Sequence, residues 1–449
     1  MEPKEIVESL RALPDAGRRR LLDRVGRIAR ESRFFYHERE NHPVSLAPIV
    51  VDRGTASVLR SLTRAVFRFQ SRAPELYRGN VRGFADLIRL ERRTRAWFDA
   101  TCGPATTSTL LIRPDFGMAF SGRGLKPVLY ESNSLMLGSL YLQPVTQRIV
   151  ETCALGGRSG RQSLGLTAPP DLLALLGRWL AAGRGRGPRG GLLALLENLP
   201  PGGGFSELPE ITRSLAGAGG GAAHADPRRL ELRRGEVLWK GKPVAYAYRD
   251  FSFEDVGGPD NARMKPFRAL WERGVVAPGF AADFDQKGIL ECFTSEAFDG
   301  LFTREEARLF REHVLWTRVV GERRTRSAEG RTVDLPEYIL KFREHLVLKP
   351  SWSSGGEGIL IGPSTSEGRW RRGLERALKT PGGFAVQSYA STQKHPTAFL
   401  RDGELRFADC NYTIGVFYGG REFGFAARVS ARDIVNVARG GAMSAVYFR

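Results

Sequence analysis

Cysteine is scarce in this chain: the 449 residues hold four, Cys102, Cys153, Cys292 and Cys410, far apart and without a CxxC pair. That spacing excludes a disulfide scaffold, and it suits a reducing compartment. Long apolar runs are also missing. None reaches the roughly 18 residues that a membrane span needs, so no membrane partner is expected. At the N-terminus, MEPKEIVESLRALPDAGRRRLLDRV interrupts every apolar stretch with charge and carries no signal-peptide core; the expected location is cytoplasmic. Lysine is sparse too, at ten residues, although Lys+Arg total 68.

What is present is ordinary globular composition: 42% hydrophobic, 26% charged, net charge +19. At roughly 100 to 200 residues per domain, the length allows two to four domains with cores that need no staple. The positive field would attract polyanions, but the arginines are scattered, so the charge reads as solvated background and nucleic acid is not the expected partner.

The first hundred residues read as mostly helical. Leu21, Leu22, Val25 and Ile28 repeat at helical spacing, as do Val58, Leu59, Leu62, Val66 and Phe67. From about residue 108 the period becomes two. An apolar helix at 171–182 ends in RGRGPRGG, residues 184–191, a linker whose single RGG-like copy reads as a surface loop. A strand, a Pro/Gly loop at 200–204, a helix from about Ser206, a Gly-rich turn at 219–221 and the strand pair LELRRGEVLW then make an α/β lobe. The expected divisions are 1–107, 108–182, 183–280 and 281–449, and no internal repeat is seen.

Two segments carry chemistry. In STLLIRPDF, alternation puts Arg113 and Asp115 on one strand face, and in LKPVLYESN it does the same for Glu131 and Asn133. GMAFSGRG between them suits a hairpin connection. Antiparallel pairing would gather an arginine, two carboxylates and an amide, a group that a core-facing strand avoids. Asp, Glu and Asn are hard oxygen donors of the kind Mg²⁺ uses alongside nucleotide phosphates, and Arg113 would sit where a transferring phosphoryl group develops charge. The bland alternative is a solvated face with surface ion pairs.

In the second segment, HLVLKPSWSSGGEGILIG, a buried strand ends at Lys349, and Ser353, Ser354, Gly355, Gly356 and Gly358 turn the chain back into another strand. Such a turn lets backbone N–H groups approach an anion, while the lysine supplies a point charge. It is not a Walker A loop, because no GK[ST] follows and no helix opens there. Lys287 begins a helical pattern some sixty residues earlier. FAVQSYAS is a strand containing Gln387, followed by Tyr389, and TAFLRDGELRFADCN is a hairpin with an Asp402-Gly403 turn. Arg428 lies in AARVS, Asn436 in DIVNV.

In this order the pieces resemble the circularly permuted ATP-grasp ligases, of which glutathionylspermidine synthase is a well-known member: Arg-x-Asp, Glu-x-Asn, Tyr248-Arg249 after a hairpin, Lys287 before a helix, LKPxxxxGGxG, VQ-x-Y and a terminal ARVS…NVARGG. The resemblance covers about three quarters of the chain, from residue 108 onward. It implies an α+β or α/β chain with a permuted ATP-grasp core, an N-terminal helical region and a small Rossmann-like lobe. It also implies ATP and Mg²⁺ as cofactors. The reaction would join small carboxylate and amine substrates, an amino acid or short peptide among them, through an acyl phosphate. On this resemblance Asp115, Glu131 and Asn133 hold Mg²⁺; Arg113 and Arg428 are catalytic; and Lys287, Lys349, the turn at 353–358 and the strand around Gln387 and Tyr389 bind ATP.

Asp409 and Asn411, which share a strand face after the lysines, are a competing metal pair. Where relatives continue Glu-x-Asn with Ala-Asp-x-Pro, this chain reads SLMLGS, and the terminal GGAMS lacks a further glycine; nothing in the sequence resembles the amidase domain that some glutathionylspermidine enzymes carry, so amide hydrolysis is not implied. Two other functions stay open: a catalytically silent ATP-binding regulatory module and a basic nucleic-acid-binding protein. His37 and His42 lie close in sequence without a cysteine or third histidine nearby and read as a helix end or loop surface, not a zinc site. Glu197 reads as a solvated loop acid. No GxSxG elbow occurs.

Overall fold

The run VSLAPIVV shows no alternation because nearly all of it is buried on both faces, and it forms the strand Val44–Val51 in the interior of a seven-stranded sheet. The computed structural model describes residues 2–37, 40–122, 124–185, 187–200, 205–217, 221–353, 355–401 and 403–449. A mostly helical N-terminal region holds for Pro3–Arg11, Asp15–Glu31 and Arg53–Arg78 and fails at this strand, which has no period of two to betray it. The long helix Arg53–Arg78 starts cleanly because Asp52 accepts a hydrogen bond from the Thr55 N–H at its N-cap, and it buries Leu59, Leu62, Val66 and Phe69.

The seven-stranded sheet runs in the order His395–Arg401, Val44–Val51, Ala442–Phe448, Phe423–Ser430, Glu404–Tyr418, Arg113–Ser121, Gly124–Asn133. Only Val44–Val51 and Ala442–Phe448 run parallel among these neighbours. The hairpin that carries the candidate residues differs from expectation at its turn. Its first strand continues through Gly117 to Ser121, so GMAF is strand and not connection. The Tyr130 ring lies across Gly117 and leaves no room for a side chain there, since a Cβ would lie 2.0 Å from the Tyr130 hydroxyl oxygen. Tyr130 is itself the extra residue of a bulge, since Asp115 pairs with Glu131 and Phe116 with Leu129.

A second sheet, of six strands, is parallel at Ala222–Ala225, Leu192–Glu197, Lys242–Asp250 and Val276–Ala277, and is extended by the hairpin Glu231–Arg233 with Glu236–Trp239. This matches the α/β lobe expected there, with its helix observed at Leu208–Leu215; residues 201–204 and 218–220 of the two connecting turns lie outside the described residues. The third sheet is antiparallel, in the order Thr317–Val319, Phe384–Ser388, Leu346–Pro350, Leu360–Ile361. It has a core of its own, built on Trp316, Ile339, Leu346, Leu348, Trp370 and Val386, separate from the large core under the other two sheets. Among the described residues no helix is long and apolar enough to cross a membrane.

Candidate active site

Register alone brings the first group of side chains together. Arg113 pairs with Asn133 and Asp115 with Glu131 across the hairpin, and on the other side Asp115 pairs with Gly415. Arg113 grips Asp115 with two bonds, Nε to Oδ1 at 2.9 Å and Nη2 to Oδ2 at 3.0 Å, and its Nη1 donates to the Gly138 carbonyl at 3.0 Å. Arg428 reaches Asp115 Oδ2 at 2.6 Å from 313 residues away in the chain. Gly415 is required here, because a Cβ would come within 2.9 Å of both Arg113 Cδ and Asp115 Oδ1.

Asp115, expected as a metal ligand, is occupied by other partners in this structure. Both its oxygens are engaged by arginine, Oδ2 also accepts from Asn133 Nδ2 at 3.2 Å, and the side chain is 2% exposed. Glu131 is the open carboxylate, its side chain 27% exposed. Burial would raise its pKa, but Lys287, Lys349, Arg428 and Arg113 outweigh that and hold it near 2. Asn133 donates its Nδ2 toward Arg113 O, Asp115 and Glu131, which leaves the amide oxygen as an acceptor. One ionised carboxylate and one amide oxygen on the wall of a cleft fit Mg²⁺, which commonly takes one or two protein oxygens and fills its other positions with water and phosphate. Among the described residues no three His, Cys, Asp or Glu side chains gather as an all-protein metal cage would need.

The lysines are held more loosely. Lys287 Nζ donates to the Ser353 carbonyl at 2.7 Å and lies 3.5 Å from Glu131 Oε2. Lys349 Nζ donates to Gln387 Oε1 at 2.6 Å and to the Tyr130 carbonyl at 3.3 Å. Burial lowers the Lys349 pKa to about 8, with Glu131 opposing and Lys287 assisting. Gln387 thus serves Lys349, and its own amide donates to Thr317 Oγ1 at 3.0 Å.

All these groups line one cleft of about 530 Å³: Arg113, Asp115, Glu131, Asn133, Lys287, Lys349, Ser353, Gly355, Gly356, Gln387, Tyr389 and Arg428. The glycine turn needs its glycines, with φ of 65°, 74° and 70° at Gly355, Gly356 and Gly358. A Cβ at Gly356 would meet Ile434 Cγ2 at 2.5 Å, and Arg439 Nε donates to the Gly355 carbonyl at 3.0 Å, so the turn is docked on the segment 434–439. Gly358 turns the chain against Pro350. Ser354 and Asp402 lie outside the described residues. Tyr389, 41% exposed, with Leu315, Val347 and Ile361 gives the cleft an apolar side. The N–H groups of Ser388 and Tyr389 are already donated to Trp316 O and His345 O.

The competing pair is split: Asn411 lines the cleft and donates to Arg432 O, whereas Asp409 is exposed and is not among the lining residues. Arg249, part of the motif, is fully buried and bidentate on Asp283 at 3.1 and 2.7 Å. His42, expected at a surface, is instead buried, 3% exposed, between Phe34 and Phe205, and the His37 side chain lies outside the described part of the chain. Glu197 bonds His224 Nε2 at 2.7 Å and Ser206 Oγ at 2.8 Å, so it is not a solvated loop acid.

Sequence reasoning missed a second class of lining residues, the acids Glu91, Asp283 and Asp285. Burial, with Glu254, Asp255 and Asp283 nearby, raises Glu91 to about 7. Burial raises Asp285 to about 6 although the N–H groups of Ser134 and Leu135 bond to it. Glu91 lies far in sequence from the Asp283–Asp285 segment, so no local pattern joins them.

No family model and no curated protein matches the chain by sequence. By structure it is similar to a glutathione synthetase-like effector from Globodera pallida in its apo form, with a TM-score of 0.69 and 12% identity over 100% of this chain and 98% of that one. At that identity the likeness speaks for fold alone: the chain is a mixed α+β protein similar, over its whole length, in its arrangement of strands and helices to a glutathione synthetase-like protein.

Proposed function

We propose that the protein is an ATP-dependent carboxylate–amine ligase of the ATP-grasp type, with the metal-bearing strands permuted ahead of the lysines in the chain. The observation that carries this reading is the convergence on Glu131 of four cations from four elements, Arg113, Arg428, Lys287 and Lys349, in one cleft with a glycine turn. The whole-length fold likeness supports it, as does the order of the motifs.

In this reading Lys287 and Lys349 exchange their present carbonyl and amide partners for phosphate oxygens, and the turn at 353–358 covers those phosphates. The apolar side formed by Leu315, Val347 and Ile361 suits the base. Glu131 and Asn133 would hold Mg²⁺, which when bound neutralises phosphate charge. Arg113 and Arg428, fixed by Asp115, orient the acid and stabilise the transferring phosphoryl group. The substrate carboxylate oxygen forms a bond to the γ-phosphorus as the bridging bond to ADP breaks. The amine nitrogen then attacks the acyl carbon, phosphate leaves, and the nitrogen gives up a proton. Glu91, poised near 7 in the same cleft, is the group suited to take it.

Equilibrium binding of ATP with Mg²⁺ at physiological salt to wild type and Lys349→Ala tests the nucleotide site. Saturable binding lost in the variant is expected, and hydroxylamine then traps the acyl phosphate as a hydroxamate. Wild type that fails to bind ATP sinks the reading. ATP binding with no hydroxamate from any acid favours a silent nucleotide-binding module, an outcome consistent with four cations that already have protein partners.

A further inference from the structure

The loop at residues 134–141 takes no part in the chemistry above, yet Leu135, Met136 and Gly138 line the cleft. It is fastened at both ends by half-buried carboxylates. Asp285 Oδ2 accepts from the N–H groups of Ser134 at 2.9 Å and Leu135 at 3.1 Å. Glu207 accepts from those of Ser139 at 2.5 Å, Tyr141 at 2.6 Å and Leu142 at 3.2 Å. Between the two fastenings, Gly138 O receives Arg113 Nη1 at 3.0 Å. The loop is thereby registered against the arginine that faces the reacting end.

Met136, between the fastenings, at φ 51°, and Ser139, at the second of them, at φ 81°, occupy the left-handed region that side chains with a Cβ avoid. Such a conformation persists only where surrounding bonds over-determine it, and here five backbone N–H groups are tied to two carboxylates. The result is a methionine side chain held out into the cleft, 48% exposed. The cleft's other apolar side, Leu315, Val347 and Ile361, belongs to the proposed nucleotide end. Leu135 and Met136 form a separate apolar patch two residues from the Gly138–Arg113 bond. A methionine there suits an adaptable apolar contact, because its unbranched thioether repacks easily.

We propose that residues 135–138 form the subsite that selects the acid substrate, with Met136 as the specificity-determining residue for a carboxylate that carries an apolar aliphatic or aromatic group. This rests on the ligase reading and deepens it.

The test is hydroxamate formation by the full chain with ATP, Mg²⁺ and hydroxylamine, with leucine, phenylalanine, serine and aspartate each offered as the acid. Wild type is expected to favour leucine and phenylalanine by about tenfold or more in kcat/KM, the range an apolar contact can supply. Met136→Ser should cut that preference about tenfold, through KM more than kcat, while Met136→Leu keeps it and the ATP Kd is unchanged in both. Met136→Gly relieves the left-handed backbone, so it removes the side chain in a chain that still folds and should lose the preference in the same way. A preference untouched by Met136→Ser and Met136→Gly, or a wild type that favours serine and aspartate, overturns the subsite. Bound ATP without hydroxamate from any acid overturns the ligase reading instead, and the subsite with it.

Discussion

Two strand ends in this molecule collect buried and half-buried acids, and they treat them in opposite ways. On the seven-stranded sheet Asp115 is met by two arginines at 2.6 to 3.0 Å, and Glu131, beside it, lies in the field of four cations that hold its pKa near 2. At the end of the parallel sheet Asp250 pairs in register with Glu197, Glu207 is also near, and the adjacent Arg249 is spent on Asp283. Asp250 Oδ1 is sealed from solvent with no hydrogen-bond partner, and burial, with Glu197 close by, raises its pKa to about 7. Where cations match the acids the charge is kept and can organise anionic substrates. Where they do not, the proton stays on. Matched charge, more than acidity or burial alone, separates Asp115 and Glu131 from Asp250.

The largest effect that would break this comparison belongs to Glu131. Glu131→Gln should lower hydroxamate formation by about a thousandfold or more, as loss of a group that organises transition-state charge does, with folding retained because the side chain is partly open. Near-wild-type turnover in this variant would remove Glu131 from the centre of the proposal. Asp115→Asn should behave the other way. It leaves two buried guanidinium groups short of their shared anion, a loss of about 3 kcal/mol of unfolding free energy in denaturant titration. If Asp115→Asn unfolds like wild type, the arginines are not anchored by that carboxylate. Gly415→Ala sharpens the same point with a methyl group. The added Cβ has no room beside Arg113 and Asp115, and the expected cost is about 2 kcal/mol, the scale of overpacking.

These predictions also mark what could be read before the fold was known. Alternation in two strands was enough to put Arg113, Asp115, Glu131 and Asn133 on one face, because antiparallel register carries local pattern directly into space. Lys349 at a strand end followed by glycines was legible for the same local reason. What joins these pieces is non-local. Arg428 comes to Asp115 across 313 residues, Gly415 matters only because of what lies opposite it, and Asp285 and Glu207 act through backbone N–H groups that leave no side-chain pattern. The strand Val44–Val51 was hidden by burial on both faces. Sequence shows that Asp115 is an oxygen donor, while only the structure shows that Arg113, Arg428 and Asn133 already engage it.

The smallest effect tests the other half of the comparison, and it is a gain. The Asp250 pKa is raised from its ordinary value of 3.8 to about 7, so the folded protein binds this proton more tightly than the unfolded chain does. The folded state then carries no ionisation penalty below about pH 4, acquires it as pH climbs toward 7, and bears it fully above that. Glu91 and Asp285, raised to about 7 and 6, push in the same direction, whereas the lowered pKa of Glu131 costs stability only as pH falls from its ordinary range toward 2. Asp250→Asn cannot ionise, so its advantage over wild type isolates one group. The variant's advantage in unfolding free energy should be larger at pH 8 than at pH 6 by about 1 to 2 kcal/mol. A difference that stays the same at both pH values would mean that Asp250 has found compensation at its strand end, and that the contrast between matched and unmatched acids is weaker than the geometry implies.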